Sequence, residues 1–230
     1  MSNSMKLSNI VLMLMILTGD VVYILTDVLL AKAVTSALFV ILGIINAIYS
    51  FSEIRKNHKF MYLLLTGLFC AFLGDVLLEI QFVVGAGFFA LGHVFFFTSY
   101  LTLDKFNWKD LIPGIILFVA CLLLIVLAPI FDFGGSLLEV VAIIYALIIS
   151  LMLGKAISNL IRKKTELNIM LVVGSALFFF SDLMLLFSVF AHLPVVGILC
   201  LATYYPAEIV LACSILFARD KQPSTTQENN

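Results

Sequence analysis

Apolar residues fill eight long runs along the chain, about Leu7 to Leu25, Ala33 to Phe51, Phe60 to Ile80, Phe82 to Leu103, Leu111 to Phe131, Leu137 to Gly154, Leu167 to Phe190 and Val195 to Phe217. Short polar segments separate them, and none alternates strictly between apolar and polar positions. Inside a bilayer no water can satisfy a backbone amide, so a crossing segment must pair its own amides or belong to a closed barrel; unalternating runs of roughly 20 residues read as helices. The pattern predicts an all-α membrane protein with eight transmembrane helices in one domain over residues 1–218. The first run is followed by Asp27 rather than by a small-residue cleavage site, so it is expected to remain as a helix and not to leave as a signal peptide. The polar stretch from Arg219 to Asn230 is expected to be a disordered cytoplasmic tail.

Composition agrees. Hydrophobic residues make up 63% of the 230 positions, charged residues 12%, and the mean hydropathy is +1.19, which excludes a soluble domain. The basic residues then fix a predicted orientation. With the N-terminus in the cytoplasm, 12 of the 13 Lys and Arg residues fall on the cytoplasmic side, in Lys6, Arg55 to Lys59, Lys105 to Lys109, the Lys155 to Glu166 loop and the tail, and only Lys32 falls opposite. Both termini are therefore expected inside a cell membrane. The net charge of −1 carries no signal for nucleic acid, and Trp108 with Tyr62 marks the cytoplasmic interface. Cys70, Cys121, Cys200 and Cys213 all lie within runs and lack metal-ligand spacing, so they read as small apolar residues.

Charge inside the bilayer costs at least about 2.5 to 3.5 kcal/mol per group, so each ionisable residue kept there needs a reason. The candidates are Asp20, Lys32, Asp75, Glu79, His93, Glu139, Asp182 and Glu208. Asp75 and Asp182 each lie about 15 residues into a helix that starts on the cytoplasmic side, a rise of roughly 22 Å, so both belong at one depth in the outer half of the membrane. His93 returns from the outer side to meet them, while Glu208 sits deeper. Asp27, Asp132 and Glu139 are near outer ends and are expected to be solvated.

A faint internal repeat accompanies that pairing. Gly67 to Asp75 reads G-L-F-C-A-F-L-G-D and Gly174 to Asp182 reads G-S-A-L-F-F-F-S-D, with Leu78 and Leu185 each three residues on. The two segments are four spans apart and run parallel, as a duplicated four-helix unit requires. Close helix packing at small residues explains Gly74 and Ser181 equally well.

The segments Gly67 to Leu78, Gly92-His93-Val-Phe-Phe96, Gly174 to Asp182 and Tyr204-Tyr205-Pro-Ala207-Glu208 resemble, in that order, the YhhN-like lysoplasmalogenase family of eight-span membrane proteins. The resemblance runs from Lys32 to Phe217. It implies that Asp75 and Asp182 are the catalytic carboxylates, and that Lys32, His93, Tyr204, Tyr205 and Glu208 belong to the substrate site. The chain departs from the family pattern at Ala33, where Pro usually follows the lysine, at Phe96, often Tyr, and at Glu208, often Gln or His.

The implied reaction is hydrolysis of the vinyl ether of a lysoplasmalogen to a fatty aldehyde and a glycerophospho head group. Two carboxylates suit it: one protonates the enol ether, the other steadies the oxocarbenium ion and takes a proton from water, as in glycosidases. The substrate is expected to come from the bilayer as a lysophospholipid, with its tail against Phe89, Phe178 and Phe179 and its phosphodiester near Lys32. Other readings stand beside this one. Asp75 and Asp182 can instead be read as protonated acids that bridge helices, His93 as a helix-bridging contact, Lys32 as a side chain that snorkels or pairs with Asp27, and Glu79 as an acid that tunes Asp75 or sits at the outer interface. A proton-coupled transporter or a lipid-binding protein would use the same acids as a relay. Ligand type alone allows a metal at Asp75, His93, Asp182 and His192, but no H-E-x-x-H or comparable spacing occurs, so no metal or cofactor is expected.

Overall fold

A computed structural model describes residues 2–54 and 57–218. The expected tail and the loop residues Arg55 and Lys56 lie outside the described residues. Among the described residues eight helices are long and apolar enough to cross a membrane: α1 (Asn3–Thr26), α2 (Leu29–Ser50), α3 (His58–Ile80), α4 (Phe82–Leu101), α5 (Ile112–Leu127, preceded by the 3-10 turn Trp108–Leu111), α6 (Ser136–Arg162), α7 (Glu166–Phe190) and α8 (Val196–Ser214). The protein is an integral membrane protein. Large apolar side chains such as Leu14, Ile48, Phe69, Leu123 and Ile144 stay exposed around its sides, where lipid replaces water as solvent.

The helix ends follow local chemistry. Ser2 caps α1 by accepting a bond from the Met5 amide, and Thr165 caps α7 by accepting from Asn168. One extended residue, Gln81, joins α3 to α4, and its amide closes the last turn of α3 on the Leu77 carbonyl at 2.7 Å. That hairpin packs closely along its length, as do α7 and α8. The ring of neighbours α2, α3, α4, α6, α7 and α8 closes on itself, with α1 outside α2 and α8, and α5 outside α6. Adjacent helices pack in the same order in both halves, as they do in any up-and-down bundle, so the duplication remains a proposal of the sequence.

Two glycines govern how close α5 comes to α6. A Cβ on Gly154 would lie 2.2 Å from the Gly114 amide nitrogen, and one on Gly114 would lie 2.9 Å from Leu151 Cα. The backbones therefore touch where small residues permit it.

The sixth run is longer than predicted. α6 continues through Lys155 to Arg162, two turns past Gly154. Lys155, expected in a cytoplasmic loop, is fully buried, with its Nζ 2.7 Å from Asp110 Oδ2. Arg162 also pairs with Asp110 and donates to the Lys105 carbonyl at 2.9 Å. The charge does not end the helix because a carboxylate from the turn before α5 neutralises it.

Candidate active site

Asp75 sits near the C-terminal end of α3 and is 2% exposed. Its Oδ2 accepts hydrogen bonds from Ser36 of α2 at 2.5 Å and from Tyr204 of α8 at 2.7 Å. Ser36 in turn lies 3.3 Å from the Tyr205 hydroxyl. Three helices thus fix one carboxyl oxygen. The close approach of α3 to α4 beneath it depends on Gly74, where a Cβ would come within 2.8 Å of the Phe89 ring.

Asp182 on α7 is held in a similar way by different helices. Tyr145 of α6 donates to its Oδ2 at 2.8 Å, and His93 Nε2 of α4 stands 3.0 Å from the same oxygen and 2.9 Å from the Tyr145 hydroxyl. Tyr145 gives its proton to the carboxylate, so the arrangement is satisfied when His93 carries hydrogen on Nε2. Nδ1, buried without a partner, is then a bare acceptor rather than a stranded donor, the less costly choice.

Rings fill the space between the two aspartates. Phe178 stands perpendicular to His93 at 4.6 Å and to Tyr204 at 5.3 Å, and Phe89 meets Tyr204 edge-on at 5.8 Å. Edge-to-face pairs add roughly 0.5 to 1.5 kcal/mol each beyond burial and hold the rings in place. Both aspartates, with Lys32, Glu79, Phe89 and Tyr204, line one cavity of about 430 Å³ between α1, α3, α7 and α8. Asp75 and Asp182 thus line the same cavity.

At its mouth Lys32 Nζ lies 2.6 Å from Glu79 Oε1, with the Tyr23 hydroxyl donating to the same oxygen at 2.7 Å and the Tyr23 ring 5.0 Å below the ammonium. Lys32 does not pair with Asp27, which ends α1 in a left-handed conformation and is exposed. Glu79 lies in the last turn of α3, as half of an ion pair. Asp132 is exposed, and Glu139 opens α6 half-buried.

The remaining site candidates lie further in. Tyr205 is fully buried behind Ser36, and Glu208 is fully buried with both carboxyl oxygens unpartnered; neither lines the cavity. Asp20, buried on α1 with Oδ1 unpartnered, is within electrostatic reach of Asp75. His192 is exposed in the loop after α7. Among the described residues no three His, Cys, Asp or Glu side chains gather as ligands would. Sequence reasoning missed Ser36, Tyr145 and Tyr23. A tyrosine in mid-span, whose hydroxyl needs a buried partner, was the available signal for Tyr145.

Fold and cavity together define a class: an eight-helix membrane protein with two aspartates, each hydrogen-bonded to a tyrosine, lining one cavity among its helices. The particular family follows from comparison, since residues 28–215 match the YhhN family and the chain belongs to it. No curated protein and no solved structure matches the chain.

Proposed function

We propose that the protein is an intramembrane hydrolase of the lysoplasmalogenase type, cleaving the vinyl ether of a single-chain lysophospholipid. The observation that carries this reading is that Asp75 and Asp182 line one cavity, each with one carboxyl oxygen tied down by a tyrosine. Membership of the YhhN family is consistent with it.

The reaction closes on these two groups. A protonated aspartate delivers its proton to the vinyl carbon remote from oxygen, and the electron pair of the double bond forms the new C–H bond, leaving an oxocarbenium ion. The other aspartate, as carboxylate, takes a proton from water as the water oxygen bonds to the ether-bearing carbon. The hemiacetal then collapses. Its hydroxyl proton returns to the first aspartate, the C–O bond to glycerol breaks, and the glycerol oxygen takes the proton held by the second. One water is consumed and both carboxyls are reset. Positioned acid–base groups contribute about 10² to 10⁴ in rate, and the faces of nearby aromatic rings favour a cationic intermediate.

Lys32 is placed to meet the phosphodiester at the cavity mouth, with Glu79 as the partner it leaves. The cavity faces outside if the positive-inside distribution governs orientation, with both termini in the cytoplasm. Release of a fatty aldehyde from a lysoplasmalogen by purified protein tests the reading, and no release by folded protein would refute it. The relay alternative draws on one observation, the unpartnered carboxyl oxygens of Glu208 and the unpartnered Oδ1 of Asp20. It predicts proton movement across proteoliposomes without aldehyde release.

A further inference from the structure

Glu208 takes no part in the proposed reaction, yet the fold keeps it where an acid is expensive. It is fully buried on α8, as are Tyr205, Ala207, Leu211 and Ala212 around it. α7 presses on this turn at Gly174, where a Cβ would lie 2.7 Å from Leu211 Cδ2 and 3.4 Å from the Ala207 carbonyl oxygen. Neither carboxyl oxygen of Glu208 has a hydrogen-bond partner, and the charged groups that act on it, Asp75 and Asp182, are themselves acids. A carboxylate there would be desolvated, unpaired and repelled, so Glu208 is carried as the neutral acid. A neutral carboxyl has one hydrogen to donate.

Tyr204 is the group placed to receive it. Four residues separate the two on α8, which puts them on one face, and helical side chains lean toward the N-terminus, so Glu208 leans over Tyr204. The Tyr204 hydroxyl is close enough to act on the Glu208 proton, although the pair falls short of a closed hydrogen bond. Tyr204 spends its own hydrogen on Asp75 Oδ2 at 2.7 Å, which leaves its oxygen free to accept.

We propose that Glu208 is a positioning residue of the site, donating its carboxyl hydrogen to the Tyr204 oxygen so that Glu208, Tyr204 and Asp75 form one hydrogen-bonded chain from the core of the bundle to the cavity. A turn of the Glu208 carboxyl about its last, soft torsion closes the first bond. A hydroxyl that accepts one bond donates the next more strongly, and its hydrogen is then committed to Asp75. The catalytic meaning of the chain rests on the hydrolase reading, whereas the chain itself does not. Glu208 contributes little to stability, because a buried acid with poorly paired oxygens is replaced by an apolar side chain of similar length at little or no loss. The position thus favours function over stability.

Two measurements test this on the full-length protein in detergent. Glu208→Met removes the donor and keeps the length. It is expected to lower kcat for aldehyde release about three- to tenfold, less than removal of the Tyr204 hydroxyl, with KM unchanged and thermal unfolding unmoved or raised. Glu208→Gln keeps a donor and is expected to recover most of that loss. In a Tyr204→Phe background, Glu208→Met is expected to have no further effect, since it acts through that hydroxyl. Undiminished kcat in Glu208→Met, an equal loss in both backgrounds, no recovery by glutamine, or a raised KM would overturn the proposal. The second measurement is the infrared difference between wild type and Glu208→Gln. It is expected to show the carbonyl band of a protonated carboxylic acid, displaced when the same difference is taken in Tyr204→Phe. A carboxylate band, or an acid band that Tyr204→Phe leaves in place, would overturn the chain whatever the activity. The two readings fail separately. A displaced acid band in a protein that releases no aldehyde would sustain the chain and refute the hydrolase, and aldehyde release with an unmoved band would do the reverse.

Discussion

The hydroxyl of Tyr145 on α6 donates a 2.8 Å hydrogen bond to Asp182 on α7, to the same oxygen that His93 approaches from α4. Three helices thereby set the direction of one carboxyl group. Tyr204 does the same for Asp75. The tyrosines act through the aspartates and are positioning residues. Removing such a partner typically costs about ten- to a hundredfold in activity. Tyr145→Phe and Tyr204→Phe are expected to lower kcat for aldehyde release by that amount while thermal unfolding in detergent moves little. A KM change at constant kcat would instead place these hydroxyls on the substrate.

Lys32 and Glu79 call for a different split. If Lys32 meets the phosphodiester, Lys32→Met raises KM more than it lowers kcat, because head-group binding is shared by ground and transition states. A lysoplasmalogen analogue lacking the phosphate should be insensitive to the change. Equal sensitivity of both substrates would reduce Lys32 to a structural partner of Glu79.

Eight spans were legible in the sequence because bilayer thickness demands long apolar runs, and a fixed helical rise on two parallel helices singled out Asp75 and Asp182, which line one cavity. The end of α6 was not legible. Lys155 reads as a loop charge until Asp110, 45 residues earlier, is known to neutralise it. Tyr145 was hidden for the same reason, since its acceptor lies 37 residues away and no local pattern declares it. The partner of Lys32 was misread because Asp27 is near in sequence, whereas Glu79 is near in space.

The buried pair of Asp110 and Lys155 gives a stability prediction. Asp110→Asn removes the carboxylate and leaves the ammonium buried, which destabilises by about 3 to 5 kcal/mol. The double variant Asp110→Asn, Lys155→Met is expected to recover most of that loss, as read by thermal unfolding in detergent. Additive losses would show that the two side chains contribute independently.

Topology is tested at the same helix end. With the native cysteines removed, a cysteine at Lys164 is expected to react with an impermeant maleimide only from the cytoplasmic side, and one at Lys155 from neither side. Labelling of position 164 from outside would invert the orientation drawn from the basic residues.

The most direct test of the account is aldehyde release from a lysoplasmalogen by the wild type, Asp75→Asn, Asp182→Asn and the double variant. Asparagine keeps the shape and much of the hydrogen bonding while removing the ionisable proton. Each single variant is predicted to lose at least about a hundredfold in turnover with its fold intact, and the double variant to be little worse, because groups acting as one unit lose their effect together. Near wild-type turnover in both single variants would contradict the central claim and leave the two aspartates as structural bridges between helices.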